Sequence, residues 1–283
     1  MIRIGINGSD LSKNRAAVLV QKLQAISENS TIITVGSESQ NSTLEEALIS
    51  HDIDVAVSPL NELAINSNEE LVIAGLSERT SPRDMLIIKA TAEDAKGIFN
   101  LKSRIRAGVS SKRQQALLKH YINEITCEIL DNRPVENIEK LELGQLDALM
   151  INETDLDYID KNLSQYNCRS LNTIEFVPAP GQGVLAYRAR KSDIATRKIL
   201  HQIHQSDVSQ LTNIERQTKS LFSDADPVLG VHCTKDANNY YHLYGFYLEE
   251  ESSDPVFHRI SQSTSHKLAE RMFEALTNNN LKN

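Results

Sequence analysis

Cysteine is scarce in this chain of 283 residues: only Cys127, Cys168 and Cys233 are present. The number is odd and the spacing wide, which argues against a disulfide framework and for a reducing, cytoplasmic compartment. No CxxC pair suggests zinc, and no metal site is expected. No apolar run approaches the ~20 residues a membrane helix needs. The opening "MIRIGINGSD" has neither a long apolar core nor a small-residue cleavage site, so no signal peptide is expected. Positive charge is also short: 30 Lys and Arg face 38 Asp and Glu, a net charge of −8 that argues against a nucleic-acid surface. An anionic ligand would need a local cluster of Arg, Lys and backbone N–H groups. Glycine is sparse too, with 11 residues, yet two stand one residue apart in "FVPAPGQGVLAYRAR" (176–190), between strand-like runs. That placement reads either as a hinge where the backbone crosses between domains or as a point where backbone N–H groups approach a ligand.

The length suggests two or three domains, and 40% hydrophobic with 24% charged residues reads as a soluble globular protein. Short β-rich runs alternate with helical patterns through the first half. "IRIGI" (2–6) reads as a strand and 10–26 as an amphipathic helix with Ser9 or Asp10 as N-cap. "TIITV" (31–35) follows as a strand, then a helix at 43–50 with Ser42 and Glu45 as a capping box. Strands follow at 54–57, 71–75 and 84–90. The pattern then restarts, with strands at 105–109, 126–130 and 147–151, and helices at 110–122 and 135–144, the latter closed by Gly144. This order predicts mainly parallel sheets in two similar α/β units with a cleft between them, ligands binding at the carboxyl ends of strands. After Ser206 a helix (208–222), β-type runs (240–248 and 255–260) and a helix near 264–277 read as a small α+β part.

Several stretches resemble, in order, the motifs of the hydroxymethylbilane synthase (porphobilinogen deaminase) family. "RIGINGSDL" is similar to that family's "RIGTRGSPL", and "LEEALISHDIDVAVSPL" to "LExALLxGxiDxAVHSLKD". "ERTSPRDMLI" resembles "xREDPRDALV", "AGVSSKRQQALL" resembles "VGTSSLRRQAQLL", and "KLELGQLDALMI" resembles "KLdxGxYDAIIL". "PAPGQGVLAYRAR" looks like "PAxGQGALxIexR", and "ERQTKSLF" like the "AERxFLxxLeGGC" helix. The resemblance spans about residues 1 to 235. It implies an α/β fold of two periplasmic-binding-protein-like domains, 1–87 with 184–205 and 88–183, and a small α+β domain at 206–283. In that fold the chain returns to the first domain at the Gly181–Gly183 segment, with Gln182 facing the cleft.

The resemblance implies head-to-tail condensation of porphobilinogen in tetrapyrrole (porphyrin) biosynthesis, with release of ammonia, on a dipyrromethane cofactor held by a cysteine thioether. An aspartate beside the developing cation and a set of arginines for the substrate carboxylates carry the chemistry. The aspartate's position is Glu62 here. Arg83, Ser110, Ser111 and Arg113 remain of the carboxylate-binding set, with Gln182 at the crossover. Asn7, Gln114, Asp131 and Asn137 stand where the family has arginine, with Arg133 two residues from Asp131. The cofactor cysteine's position is Asp226, or Ala225 counted from the other side of the loop, so no covalent cofactor is expected. Structural roles stand beside these: Arg83 as an ion-pair partner of Asp84, Ser110 as a helix cap, Cys233 as a buried core residue. Two functions follow. One is a synthase with Glu62 as catalytic carboxylate. The other is a catalytically silent protein that binds a small carboxylate ligand, such as porphobilinogen, or a protein partner. Either is expected to be a monomer with no nucleic-acid or membrane partner.

Overall fold

The computed structural model describes residues 1–36, 41–65, 68–131, 133–223, 227–250 and 253–278, the side chains of residues 41 and 42 aside. The first elements in chain order are β1 (Ile2–Ile6), α1 (Asp10–Ala25), β2 (Ser30–Thr34), α2 (Asn41–Ile49), β3 (Val55–Pro59) and β4 (Leu71–Leu76). Then come β5 (Asp84–Ile88), β6 (Arg106–Val109), α3 (Lys112–Tyr121), β7 (Thr126–Ile129), α4 (Pro134–Glu142), β8 (Ala148–Asn152) and α5 (Glu153–Leu156). The rest are β9 (Asn167–Ser170), β10 (Leu185–Arg190), α6 (Ile194–Gln202), α7 (Ser206–Ser220), β11 (Val228–Lys235), β12 (Tyr241–Leu248), β13 (Val256–Gln262) and α8 (Leu268–Thr277). The capping box expected at Ser42 falls on a side chain outside the described residues.

Two compact units divide the chain: unit 1 is Met1–Thr80 with Gly181–Gln210, and unit 2 is Ser81–Pro180 with Leu211–Asn283. Unit 1 holds a five-stranded sheet in the order β2-β1-β3-β10-β4. Strand β1 runs parallel to β2 and β3, while β10 is antiparallel to β3 and β4. Unit 2 holds a sheet in the order β7-β6-β8-β5-β9, with β6 parallel to β7 and β8, and β5 antiparallel to β8 and β9. The two orders match strand for strand. In each, the antiparallel strand is the first to follow a passage from the other unit. The β11-β12-β13 meander with α8 forms the small α+β part, also in unit 2. The α/β class and the plan of two like α/β sheets plus a small α+β part agree with the sequence.

The sheet of unit 1 is covered on both faces. On one side α1 packs Ala16, Leu19 and Leu23, each 0% exposed, against Ile2, Ile4, Val55 and Tyr187, with Leu200 of α6 alongside. Ser9 is its N-cap, its Oγ accepting from Ser12 N at 3.2 Å. Each fully buried leucine contributes about 1.5–3 kcal/mol. On the other side α2 packs Leu44, Ala47 and Leu48 over Ile53 and Ala56. In unit 2, α3 covers one face of the second sheet through Leu117 and Leu118, and α4 the other through Ile138 and Leu141.

Candidate functional site

Under the strand-end rule, the residues that follow the parallel strands of each sheet are the ones to inspect. In unit 1, β1 runs into the start of α1. Asn7 Oδ1 accepts from the hydroxyls of Ser9 (3.1 Å) and Ser12, so this residue is knitted into the helix cap. After β3 the chain makes a short 3-10 turn, Leu60–Glu62, with Leu60 buried and Glu62 exposed. The sequence-predicted carboxylate thus stands at the carboxyl end of the sheet. The turn is fixed from β10, whose Val184 carbonyl accepts from Leu60 N at 2.8 Å.

The glycine pair has a conformational cause. Gly181 has φ +84° and Gly183 φ +82°, values that favour glycine. A Cβ on Gly181 would also sit 2.8 Å from Leu60 Cγ, so the turn that carries Glu62 packs directly on this glycine. Gln182, between them, is buried at 1% exposed.

In unit 2, the predicted carboxylate set collects at one end of the sheet. Ser110 and Ser111 follow β6, and Arg83 precedes the antiparallel β5. Ser111 is the N-cap of α3, its Oγ accepting from Gln114 N at 3.2 Å. Ser110 N donates to Gln114 Oε1 at 2.7 Å. Both serines therefore serve the first turn of α3. Arg113 is 5% exposed and donates both Nη1 and Nη2 to Asp84, at 2.9 and 3.0 Å, and Nη1 also to the Val177 carbonyl at 2.9 Å. Gln114 adds a third donor to Asp84 at 2.8 Å. The ion-pair partner of Asp84 is thus Arg113, not the adjacent Arg83. Arg83 is exposed, with Nη1 at 3.4 Å from Ser170 Oγ, and offers its guanidinium at this sheet end. Arg133 pairs with Glu136 at 3.1 Å, and Asn137 donates to the Asp131 carbonyl at 2.9 Å. Glu153 accepts from the Ser81 hydroxyl and adds a carboxylate at this end that the sequence reading missed.

A thioether-held cofactor needs a cysteine, and the three of this chain differ in exposure. Cys233 lies in β11 at 0% exposed, packed among Val231, Leu243 and Met272. Cys127 lies in β7, where burial raises its thiol above the ordinary value, and Cys168 is exposed in β9. Asp226 and Ala225 lie outside the described residues, and neither type can form the thioether. Among the described residues, no cluster of His, Cys, Asp or Glu could hold a metal ion, and no helix is long and apolar enough to cross a membrane. A cavity of about 530 Å³ lies elsewhere in unit 2, between α3 (Lys112, Lys119) and the end of β12 (Leu248, Glu249), and no sequence-predicted site residue lines it.

Comparison with known proteins places these observations. The family model described as Porphobilinogen deaminase, dipyromethane cofactor binding domain, matches residues 2–198. A probable porphobilinogen deaminase of Methanocaldococcus jannaschii is 29% identical over 219 residues, 72% of this chain and 72% of that protein. The porphobilinogen deaminase of Rickettsia prowazekii is 29% identical over 236 residues, 76% of each chain. Among solved structures, the methionine-binding protein MetQ is similar with a TM-score of 0.48 at 14% identity, covering 73% of this chain and 91% of that one.

Proposed function

The chain belongs to the porphobilinogen deaminase family, and from that premise we propose that it handles porphobilinogen in tetrapyrrole biosynthesis, in the cytoplasm and as a monomer, without a thioether-anchored dipyrromethane. The observation that carries this reading is Glu62: an exposed carboxylate held at the carboxyl end of β3 by a turn packed on Gly181. Loss of ammonia from the aminomethyl carbon leaves a cationic azafulvene, and a carboxylate beside that carbon stabilises the charge as it forms. A second pyrrole carbon then attacks the exocyclic methylene and loses its proton, closing the head-to-tail bond. Within unit 2, the exposed Arg83 is a planar fork suited to a carboxylate. Porphobilinogen consumption and ammonia release by the purified protein test the reading. Glu62→Gln keeps the shape, removes the charge, and should lower the rate at least ~100-fold. Undiminished turnover by that variant would remove Glu62 from the role.

A second reading is supported by the closure of Arg113 on Asp84. With that arginine in an internal pair and four family arginine positions occupied by Asn7, Gln114, Asp131 and Asn137, a growing chain with two carboxylates per pyrrole would be poorly neutralised. The protein would then bind one small carboxylic acid and leave it unchanged. Binding of porphobilinogen by calorimetry with no ammonia release selects this reading over the first.

A further inference from the structure

We propose that Arg188, with Ser58, forms a buried carboxylate-binding subsite in unit 1, on the sheet face that also carries the Glu62 turn. Arg188 lies in β10 and is 2% exposed. Its Nη1 donates to Glu45 of α2, but its Nε and Nη2 are buried with no hydrogen-bond partner among the described residues. Those two atoms form one edge of the guanidinium, the fork that receives both oxygens of a carboxylate. Buried guanidinium donors are rarely left unmet, because each unmet donor forfeits its hydration.

The second observation is independent. Ser58 Oγ, 3% exposed, is likewise buried and without a hydrogen-bond partner among the described residues. The register joins the two. Arg188 stands opposite Ala56 and Ala186 opposite Ser58 in the antiparallel β3–β10 pair, so all four side chains share one face of the sheet and Ser58 is the diagonal neighbour of Arg188. That face holds two apolar clusters. Ala56 belongs to the one under α2, with Leu44, Ala47 and Leu48. Ala186 belongs to the other, with Leu60 and Leu63, the residues that flank Asn61 and Glu62. Arg188 therefore stands on the seam between α2 and the Glu62 turn, a positive charge with an unmet fork and a hydroxyl donor beside it. Arg190, next on the same face, shares an unmet Nε but differs at the fork: its Nη1 donates to the Leu48 and Ile53 carbonyls and its Nη2 to Asp54 and Asp193, so only Arg188 of the two leaves a whole edge unmet. The chemistry selects a small carboxylate that enters with its two oxygens on Nε and Nη2. Its identification with a pyrrole side-chain acid rests on the function proposed above.

The test uses sodium propionate against sodium chloride at equal ionic strength, read as the midpoint of thermal unfolding. The wild-type midpoint should rise with propionate and saturate. Arg188→Met should abolish that rise, read against the variant's own midpoint in chloride, because the change also removes the charge partner of Glu45. Ser58→Ala should reduce the rise. No propionate effect in the wild type, or an equal effect in both variants, overturns the subsite. If Arg188→Met does not fold, Ser58→Ala decides alone, and an undiminished rise counts against the proposal. Porphobilinogen calorimetry separates this from the function reading. Arg188→Met should weaken binding by about 10- to 100-fold. Equal affinity in wild type and variant rejects the subsite and leaves the function reading. No porphobilinogen binding beside an Arg188-dependent propionate effect rejects the function reading and leaves the subsite.

Discussion

Arg113 and Asp84 form a two-armed buried ion pair, Nη1 to Oδ2 at 2.9 Å and Nη2 to Oδ1 at 3.0 Å, with side-chain exposures of 5% and 0%. The pair ties the first turn of α3 to the start of β5. Through the Val177 carbonyl it also holds the segment whose next residue, Pro178, accepts from Val231 N of β11 at 2.8 Å. An arginine that the sequence assigns to a carboxylate-binding set is thereby part of the internal framework of unit 2.

Removing Arg113 should therefore cost stability before it costs anything else. Arg113→Gln leaves Asp84 as a buried carboxylate without its charge partner, a loss of roughly 3–5 kcal/mol. Urea unfolding of the unliganded protein measures it. A midpoint equal to the wild type would show that Arg113 has no framework role.

Gly181→Ala should destabilise by about 1–2 kcal/mol from the positive φ alone, with a further penalty because Leu60 must shift away from the new Cβ. Since Leu60 belongs to the Glu62 turn, porphobilinogen turnover should fall together with stability. A variant as stable as the wild type would show that the segment relaxes freely.

The purified protein should have the intact mass of its sequence, with no added pair of pyrrole rings. Under native conditions a thiol reagent should modify Cys168 first and spare Cys233, which reacts only after unfolding. A mass increase of two pyrrole units that maps to any cysteine would overturn the non-covalent reading.

Acid sensitivity should trace in part to His204. Its Nδ1 accepts from Leu76 N of β4 at 3.1 Å, an acceptor that vanishes when the ring is protonated. Burial, with His201 nearby, holds its ring below the ordinary histidine value. The unfolded chain therefore binds the proton more readily, so this contribution to stability is present above about pH 6.5 and is lost as pH falls through the folded value. His204→Gln keeps an acceptor but does not titrate. Its stability should fall less steeply than the wild type's between pH 7 and 5, and identical slopes would exclude His204.

Much of this protein was determined by local sequence. The hydrophobic periodicity of 10–25, with Ser9 ahead of it, specifies α1 because a 3.6-residue repeat can bury only one face. Two glycines around Gln182 mark a backbone that must adopt positive φ. Gly144, at φ +75°, ends α4 for the same reason. Several elements escaped the reading, α5, α6 and β9 among them. Helix α6 is announced only by Asp193, whose carboxylate caps Thr196 N at 3.0 Å, and β9 is a polar edge strand without alternation. Sheet membership was decided by tertiary structure: β5 and β10 look like strands anywhere, but each completes a sheet by pairing with strands far along the chain. The same is true of the arginines. As letters, Arg83, Arg113, Arg188 and Arg190 are equivalent, since charge and side-chain length do not encode a partner. Their roles diverge because packing delivers Asp84 to Arg113, and Asp54 and Asp193 to Arg190, leaves Arg83 in solvent, and buries Arg188 with one edge of its guanidinium unmet.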